Sequence, residues 1–195
     1  RRPARCCPHL RPADADVRTG KVFKDGTIPY QRFRAWQLAG RTAGIVGLGG
    51  ALFPTAAKLE SAGVTPLLLL NGAECEAYIS CDDMLLRERA DRVVAGGRIL
   101  CAALAAELCV IAIKTDMPEA RMALLAALDQ AGDPRLALST VTAKYPAGGE
   151  RQLIELVLGR EVPAGGHPAD AGVLCQNVAT AAAVAAFFQE GQPFI

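Results

Sequence analysis

From residue 65 onward, short apolar runs alternate four times with longer segments of helical periodicity. The runs "TPLLLLNG", "ELCVIAIK", "RLALSTVT" and "GVLCQN" have the length and continuous apolar character of strands buried on both faces. Helical spacing of apolar residues follows each run, over 82–106, 117–132, 148–159 and 178–191. Such alternation requires parallel strands joined by crossover helices. We therefore predict an α/β fold with an open, mostly parallel sheet of about four strands and helices on both faces.

Residues that start and stop helices support these boundaries. Pro118 suits the first turn of the second helix, and Gly132 and Gly159 suit the ends of the second and third. Asp82 or Asp83 can cap the first helix, since a short acidic side chain accepts hydrogen bonds from the first backbone N–H groups. For the first three helices, the end signals thus agree with the apolar periodicity.

Polar residues and glycines follow the predicted strands at the point where each strand ends. In parallel α/β sheets, ligands bind beyond these carboxyl ends. We therefore expect a ligand-binding rim built from the segments that follow the four strands. The polar residues and glycines that we single out from these segments are Asn71, Glu74, Lys114, Asp116, Lys144, Tyr145, Gly148, Gly149, Glu150, Gln176 and Asn177.

A glycine-rich loop precedes this pattern, in "GIVGLGGALFPTAAKL" at residues 44–59. The loop is not a complete dinucleotide fingerprint, because Leu52 stands at the third glycine position, and it is not a Walker loop. Its glycines still allow backbone N–H groups to approach an anion closely, and Lys58 follows in the next turn. The residues alone leave two interpretations open, a phosphate-binding loop at Gly47, Gly49 and Gly50 or a tight structural turn.

Charge divides the chain unevenly although the net charge is only +1. Residues 1–40 hold nine Lys and Arg against three Asp and Glu, a net of +6. We interpret 1–40 as a basic linker or arm, the remnant of an upstream domain, and 41–195 as the folded domain. Base-stacking aromatic residues are sparse in the arm, so we expect no nucleic-acid partner.

The seven cysteines are odd in number and include no C-x-x-C pair, so the sequence predicts neither a disulfide framework nor a metal-ligand set. Cys101 and Cys109 flank apolar runs, and we expect both to be buried in the core. No apolar run approaches the roughly 20 residues that span a bilayer. The opening "RRPARCCPHLRP" is unlike the start of a domain, and we expect the chain to be a fragment of a longer protein.

Four segments together resemble one known family: "GIVGLGGALFPTAAKL", "NGAECEAYISCDDMLLRERA", "KYPAGGERQLIELVLGREVPAGG" and "PADAGVLCQNVATA". They resemble the C subunit of the Rnf complex, an ion-translocating ferredoxin:NAD oxidoreductase. Its flavin domain is similar to the NADH-binding flavoprotein subunit of respiratory complex I. The resemblance covers residues 41 to 195. It implies a Rossmann-like FMN-binding domain of the complex I flavoprotein type.

The resemblance also implies roles for individual residues. It places the loop at Gly47, Gly49 and Gly50 beside a non-covalent FMN. It assigns the ribityl-phosphate to Lys58, Asn71, Asn177 and Thr180. It assigns the isoalloxazine and nicotinamide side to Glu74, Glu76, Tyr145, Gly148, Gly149 and Glu150. It implies no catalytic side chain and no metal ligand in this region.

The implied function is FMN-dependent electron transfer between NAD(H) and iron–sulfur centres, in an NAD-linked oxidoreductase subunit. The family carries two [4Fe–4S] clusters in a further segment, which this chain does not contain. The implied partners are the other subunits of a membrane-bound Rnf-type complex, with ferredoxin acting indirectly. The implied location is peripheral, on the cytoplasmic side of the bacterial inner membrane.

Two alternatives stay open at this point. A related flavoprotein, the cobalamin reductase of bacterial microcompartments, shares the glycine loop and the "NGAECE" theme. A non-catalytic scaffold domain is the other alternative, in which Leu52, where the family usually has glycine, narrows the nicotinamide slot.

Overall fold

Four parallel strands form the central sheet of the computed structural model, which describes residues 36–38, 41–43, 65–75 and 79–190. Two short strands precede them in the chain, β1 (Trp36–Leu38) and β2 (Arg41–Ala43), and pair antiparallel with each other. The strands of the central sheet are β3 Leu67–Gly72, β4 Leu108–Lys114, β5 Leu136–Val141 and β6 Val173–Asn177, and their spatial order is β5-β4-β3-β6. The helices are α1 Cys81–Leu104, α2 Pro118–Ala131, α3 Glu150–Leu158 and α4 Val178–Glu190, and a 3-10 helix spans Pro168–Ala171.

The predicted strands and helices are all confirmed within this range. Pro118 is the first residue of α2, and Gly132 and Gly159 end α2 and α3 in the left-handed conformation, with φ of 57° and 63°. The predicted cap of α1 is wrong. Ser80 occupies the capping position without a side-chain bond, and Asp82 and Asp83 lie inside the first turn. The carboxylate of Asp82 instead bonds to a residue at the end of β6.

Each face of the sheet packs against its own apolar core. Because side chains alternate along a strand, Leu68 and Leu70 face α1, α2 and α4, whereas Leu69 faces α3. The prediction of helices on both faces is confirmed. Cys101 and Cys109 are fully buried in the first core, as expected.

Helices α1 and α4 pack side by side on the first core and meet backbone to backbone. Gly96 of α1 lies against the carbonyl of Ala181 in α4 so closely that a methyl group at Gly96 would overlap that oxygen. The helices that follow β3 and β6 are therefore held together at this contact.

The chain order explains how distant residues meet at the sheet edge. The chain steps outward from β3 to β4 and β5, and it then returns through α3 on the other face to place β6 beside β3. In this register Asn71 and Asn177, the polar residues near the carboxyl ends of β3 and β6, are paired neighbours. The predicted division into 1–40 and 41–195 falls mostly outside the described residues and stays a prediction.

Candidate functional site

Asn71 connects the end of β3 to the loop that follows β5. Its side-chain Nδ2 donates a hydrogen bond to the carbonyl of Gly148 at 2.9 Å, and its Oδ1 accepts one from the backbone N–H of Ala73 at 3.0 Å. Since β4 lies between β3 and β5, the loop 142–149 must cross the end of β4 to make this contact. This contact makes the rim continuous across the carboxyl ends of β3, β4 and β5.

Gly148 sits directly on the backbone of Ala73. A Cβ atom at Gly148 would overlap the Ala73 carbonyl oxygen and would come within 3.0 Å of Cys75 Sγ. The position therefore requires a residue without a side chain, because only glycine allows so close an approach of two backbones. Gly149 precedes α3, and Glu150 is its first residue, so the N–H groups of this helix start point toward the same rim.

Asn177 connects the end of β6 to the starts of two helices. Its Oδ1 accepts a hydrogen bond from the N–H of Ala179 at 2.7 Å, which caps α4. Its Nδ2 donates to Asp82 Oδ2 at 2.8 Å, in the first turn of α1. Asp82 is buried, so this bond satisfies a carboxylate that has little access to water.

Glu74 lies against the start of α1. Its Oε1 accepts a hydrogen bond from the thiol of Cys81 at 3.0 Å and a long one from the N–H of Asp82 at 3.5 Å. The bond to Glu74, reinforced by partial burial and by the nearby charge of Asp82, raises the pKa of Cys81 to about 11. Polar atoms of the three side chains lie within 4.8 Å of one another, and the raised pKa keeps the thiol protonated.

The residues predicted for the site fall into three groups. Those brought together by hydrogen bonds or direct contact at the rim are Asn71, Glu74, Gly148 and Asn177, with Gly149 and Glu150 at the adjoining start of α3. Tyr145 is 77% exposed in the crossing loop, and Thr180 is fully buried in the first turn of α4. Those outside the described residues are Gly47, Gly49, Gly50, Lys58 and Glu76.

Two residues at the rim were given no role in the site on the basis of the sequence. Asp82 looked like a helix cap, whereas it bonds to Asn177 across 95 positions of sequence. Gln176 is 3% exposed, and its Nε2 donor has no hydrogen-bond partner in the described part of the structure. The sequence does place Gln176 beside Asn177 at the end of the fourth strand, and Gln176 is the only amide within the apolar run "GVLCQ".

Within the described ranges, no helix combines the length and apolar character that crossing a bilayer requires.

Comparison with models of protein families shows to which family the chain belongs. Residues 41–186 match the family model described as the Nuo51 FMN-binding domain, known as Complex1_51K. The chain belongs to this family.

Two solved structures similar to this Nuo51-family chain are those of an NAD+-reducing [NiFe]-hydrogenase. The H2-reduced state is 27% identical with a TM-score of 0.60, and the air-oxidized state is 26% identical with a TM-score of 0.61. Each comparison covers 73% of this chain and 28% of the hydrogenase chain, and the predicted fold type is confirmed.

Curated relatives of this Nuo51-family chain are named as the C subunit of an ion-translocating oxidoreductase complex. The protein of Pseudomonas aeruginosa is 54% identical over 157 residues, 80% of this chain and 20% of the relative. That of Pasteurella multocida is 49% identical over 154 residues, 78% of this chain and 18% of the relative. The predicted resemblance to the C subunit of the Rnf complex is confirmed. The chain spans about a fifth of the length of these relatives.

Proposed function

We propose that this chain binds FMN at the rim formed by the carboxyl ends of β3 and β6, as the flavin domain of an NAD-linked oxidoreductase subunit. The observation that carries the proposal is the convergence of Asn71, Gly148 and Asn177 at one edge of a Nuo51-family sheet. Ligands of open α/β sheets bind at this edge.

The chemistry of the rim fits FMN. The phosphate is an anion, and the rim offers the N-termini of α3 and α4 together with amide side chains. Asn71 and Asn177 each use one oxygen and one N–H in the fold, and each amide nitrogen carries a second N–H. Gln176 adds a buried donor that lacks an acceptor among the described residues.

The protein residues have distinct tasks in this proposal. Lys58 and the loop at Gly47, Gly49 and Gly50 hold the phosphate with Asn71, Asn177 and Thr180. The close contact of Gly148 with Ala73 excludes a side chain at position 148, which leaves the flavin slot open there. The remaining wall of that slot, on the isoalloxazine and nicotinamide side, is formed by Glu74, Glu76, Tyr145, Gly149 and Glu150. When bound, FMN supplies the exchange between two-electron hydride chemistry and one-electron transfer, and the protein supplies binding and orientation.

The proposal extends to the longer protein to which this chain corresponds. There the flavin domain would hold FMN, which would supply hydride exchange with NAD(H) and one-electron transfer, and a further segment would hold two [4Fe–4S] clusters. The subunit assembles with the other subunits of a membrane-bound Rnf-type complex that also uses ferredoxin, on the cytoplasmic side of the bacterial inner membrane. The names of the curated relatives as subunits of an ion-translocating oxidoreductase complex support this extension.

Titration of the chain with FMN tests the first step. Binding quenches flavin fluorescence, and a yellow protein with one flavin per chain remains after desalting. Riboflavin, which has the same ring and ribityl chain but lacks the phosphate, is the control ligand. Lys58→Ala is expected to weaken FMN binding about 10-fold, as for the loss of a charge-assisted contact, and to leave riboflavin affinity unchanged. A folded chain that leaves FMN fluorescence unquenched at saturating flavin supports the scaffold alternative and rejects the proposal.

A further inference from the structure

Two cysteine thiols lie in contact with each other within the first core. Cys101 in the last turn of α1 and Cys109 near the start of β4 are both fully buried, and the thiol of Cys109 donates a hydrogen bond to the sulfur of Cys101. Both thiols are free in the structure. They lie toward the amino end of β4, away from the rim, and the proposed function uses neither of them.

Close packing of α1 on β4 brings the two sulfurs together. Gly97 lies one turn before Cys101, and a Cβ atom at Gly97 would be 3.5 Å from the Sγ atom of Cys109. A glycine at this position therefore lets the helix approach the thiol of the strand. Only residues 102–108 separate the two cysteines, so the sulfurs stay near each other even when the end of the helix opens.

Charged groups lie beside the thiols and make the two sulfurs unequal. The N–H of Cys109 bonds to the carbonyl of Arg135, whose guanidinium pairs with Asp133. The hydrogen bond from Cys109 lowers the pKa of Cys101 despite its burial, and the guanidinium of Arg135 acts in the same direction. The same hydrogen bond, together with burial, raises the pKa of Cys109 well above its usual range. Cys101 is therefore favoured as a nucleophile, because the thiolate is the reactive form of cysteine.

The end of α1 provides a path to the buried thiols. Ala102, Ala103 and Ala105 are exposed, and Ala105 ends the helix with a φ of 50°, a left-handed conformation that residues other than glycine seldom adopt. Helix ends open at a lower free energy than the core of a domain. Opening of one turn is therefore enough to admit a molecule as small as hydrogen peroxide.

We propose that Cys101 and Cys109 form a site of reversible oxidation, at which hydrogen peroxide converts the two thiols to an intramolecular disulfide. The thiolate of Cys101 attacks one peroxide oxygen and breaks the O–O bond, which gives a sulfenic acid and, after proton uptake, one water. The sulfur of Cys109 then attacks the sulfenic sulfur and loses its proton, and the second water leaves. Two thiols are oxidised, one peroxide is reduced to two waters, and a dithiol reductant reverses the reaction by exchange.

Peptide mapping of the folded chain tests this site. Trypsin leaves both cysteines in one peptide, 99–114. After treatment with peroxide, unfolding and alkylation with iodoacetamide, this peptide is expected to lack both alkyl groups and to weigh two hydrogen atoms less than the reduced peptide. A second cleavage after Glu107 should leave its two halves joined until dithiothreitol is added. Cys175, buried in the second core on the other face of the sheet, is the control and should be alkylated in full.

The single variants test the order of attack. With dimedone, which labels sulfenic acids, folded Cys109→Ala protein should carry label at Cys101, and folded Cys101→Ala protein should carry about 10-fold less label at Cys109. Equal labelling of the two variants, or no label at Cys101, overturns the assigned order.

The wild-type chain decides the site itself, whether or not the variants fold. Full alkylation of both Cys101 and Cys109 after peroxide treatment overturns the proposal. A disulfide from either residue to another cysteine also overturns it, as does a disulfide that forms only after circular dichroism shows that the chain has unfolded. None of these results depends on flavin binding, so the proposed function is tested separately.

Discussion

Gly148 is the residue at which the rim depends most directly on the absence of a side chain. Gly148→Ala is expected to lower the free energy of unfolding by about 3 kcal/mol, because the new methyl group overlaps the Ala73 carbonyl. FMN affinity should fall at the same time, since the loop 142–149 moves away from Asn71. Chemical denaturation and a flavin titration measure the two effects.

Gly149→Ala is the comparison for stability at the neighbouring position. There the methyl group would meet mainly the Oε1 end of the Gln152 side chain, which can move away. We expect a clearly smaller loss of stability than for Gly148→Ala. Equal losses for the two variants would contradict the role given to the contact with Ala73.

Cys81 is a second residue whose chemistry follows from one contact. Its pKa is raised from 9.0 to about 11, chiefly by the hydrogen bond to Glu74, so the exposed thiol should react slowly with iodoacetamide at pH 8.5. Glu74→Gln removes a negative charge and should speed alkylation of Cys81 at that pH. Mass spectrometry of the Cys81 peptide over a pH series measures both rates.

The raised pKa also fixes the sign of a pH effect on stability. The folded state holds the Cys81 proton more tightly than the unfolded state does, so this contribution is complete below pH 9 and is lost as the pH rises toward 11. A rate of Cys81 alkylation that is unaffected by Glu74→Gln would show that the hydrogen bond does not control the thiol.

At the scale of secondary-structure elements, the contact between α1 and α4 offers a matched pair of substitutions. Gly96→Ala is expected to destabilise the protein by about 3 kcal/mol or more, because its methyl group overlaps the backbone of Ala181. Gly97→Ala places a methyl group no closer than 3.2 Å to side-chain atoms, and alanine favours helix over glycine by about 1 kcal/mol. Thermal denaturation of the two variants should therefore differ sharply, and similar Tm values would contradict the close crossing.

The elements themselves were predictable from local patterns. The run Leu67–Leu70 has the continuous apolar character of a buried strand, and Pro118 and Gly132 marked the ends of α2 by their backbone preferences. These features depend on neighbouring residues, so the sequence contains them directly. The cap of α1 was mispredicted because the helix begins one residue before Asp82, with Ser80 in the capping position, and Asp82 accepts a hydrogen bond from Asn177, which is distant in sequence.

The assembly of the rim was predictable only in part. Asn71, Gly148 and Asn177 could be placed at strand ends, but periodicity does not say that β6 lies beside β3 rather than beside β5. The register that pairs Asn71 with Asn177 is a tertiary property. The unpaired donor of Gln176 is likewise visible only when its neighbours are in place.

For the whole molecule, the proposed binding of FMN would be linked to stability. A ligand that binds only the folded state at 100 times its Kd stabilises that state by about 2.7 kcal/mol. For a chain of this size we expect FMN at that excess to raise Tm by roughly 5–10 °C. Differential scanning fluorimetry or circular dichroism measures the shift. An unchanged Tm, in a chain that retains bound flavin after desalting, would contradict binding to the folded state alone.

The placement of β6 also has a consequence for how the molecule is made. The strand that ends in Asn177 is the last of the four to leave the ribosome, yet its partner β3 is the first of them. A nascent chain can pair β3, β4 and β5 before β6 has been synthesised, and β3 is then an edge strand. Pairing between strands that are distant in sequence forms slowly. Under the proposed function, flavin would bind only after this region has been synthesised, because an incomplete chain without β6 would lack one side of the site.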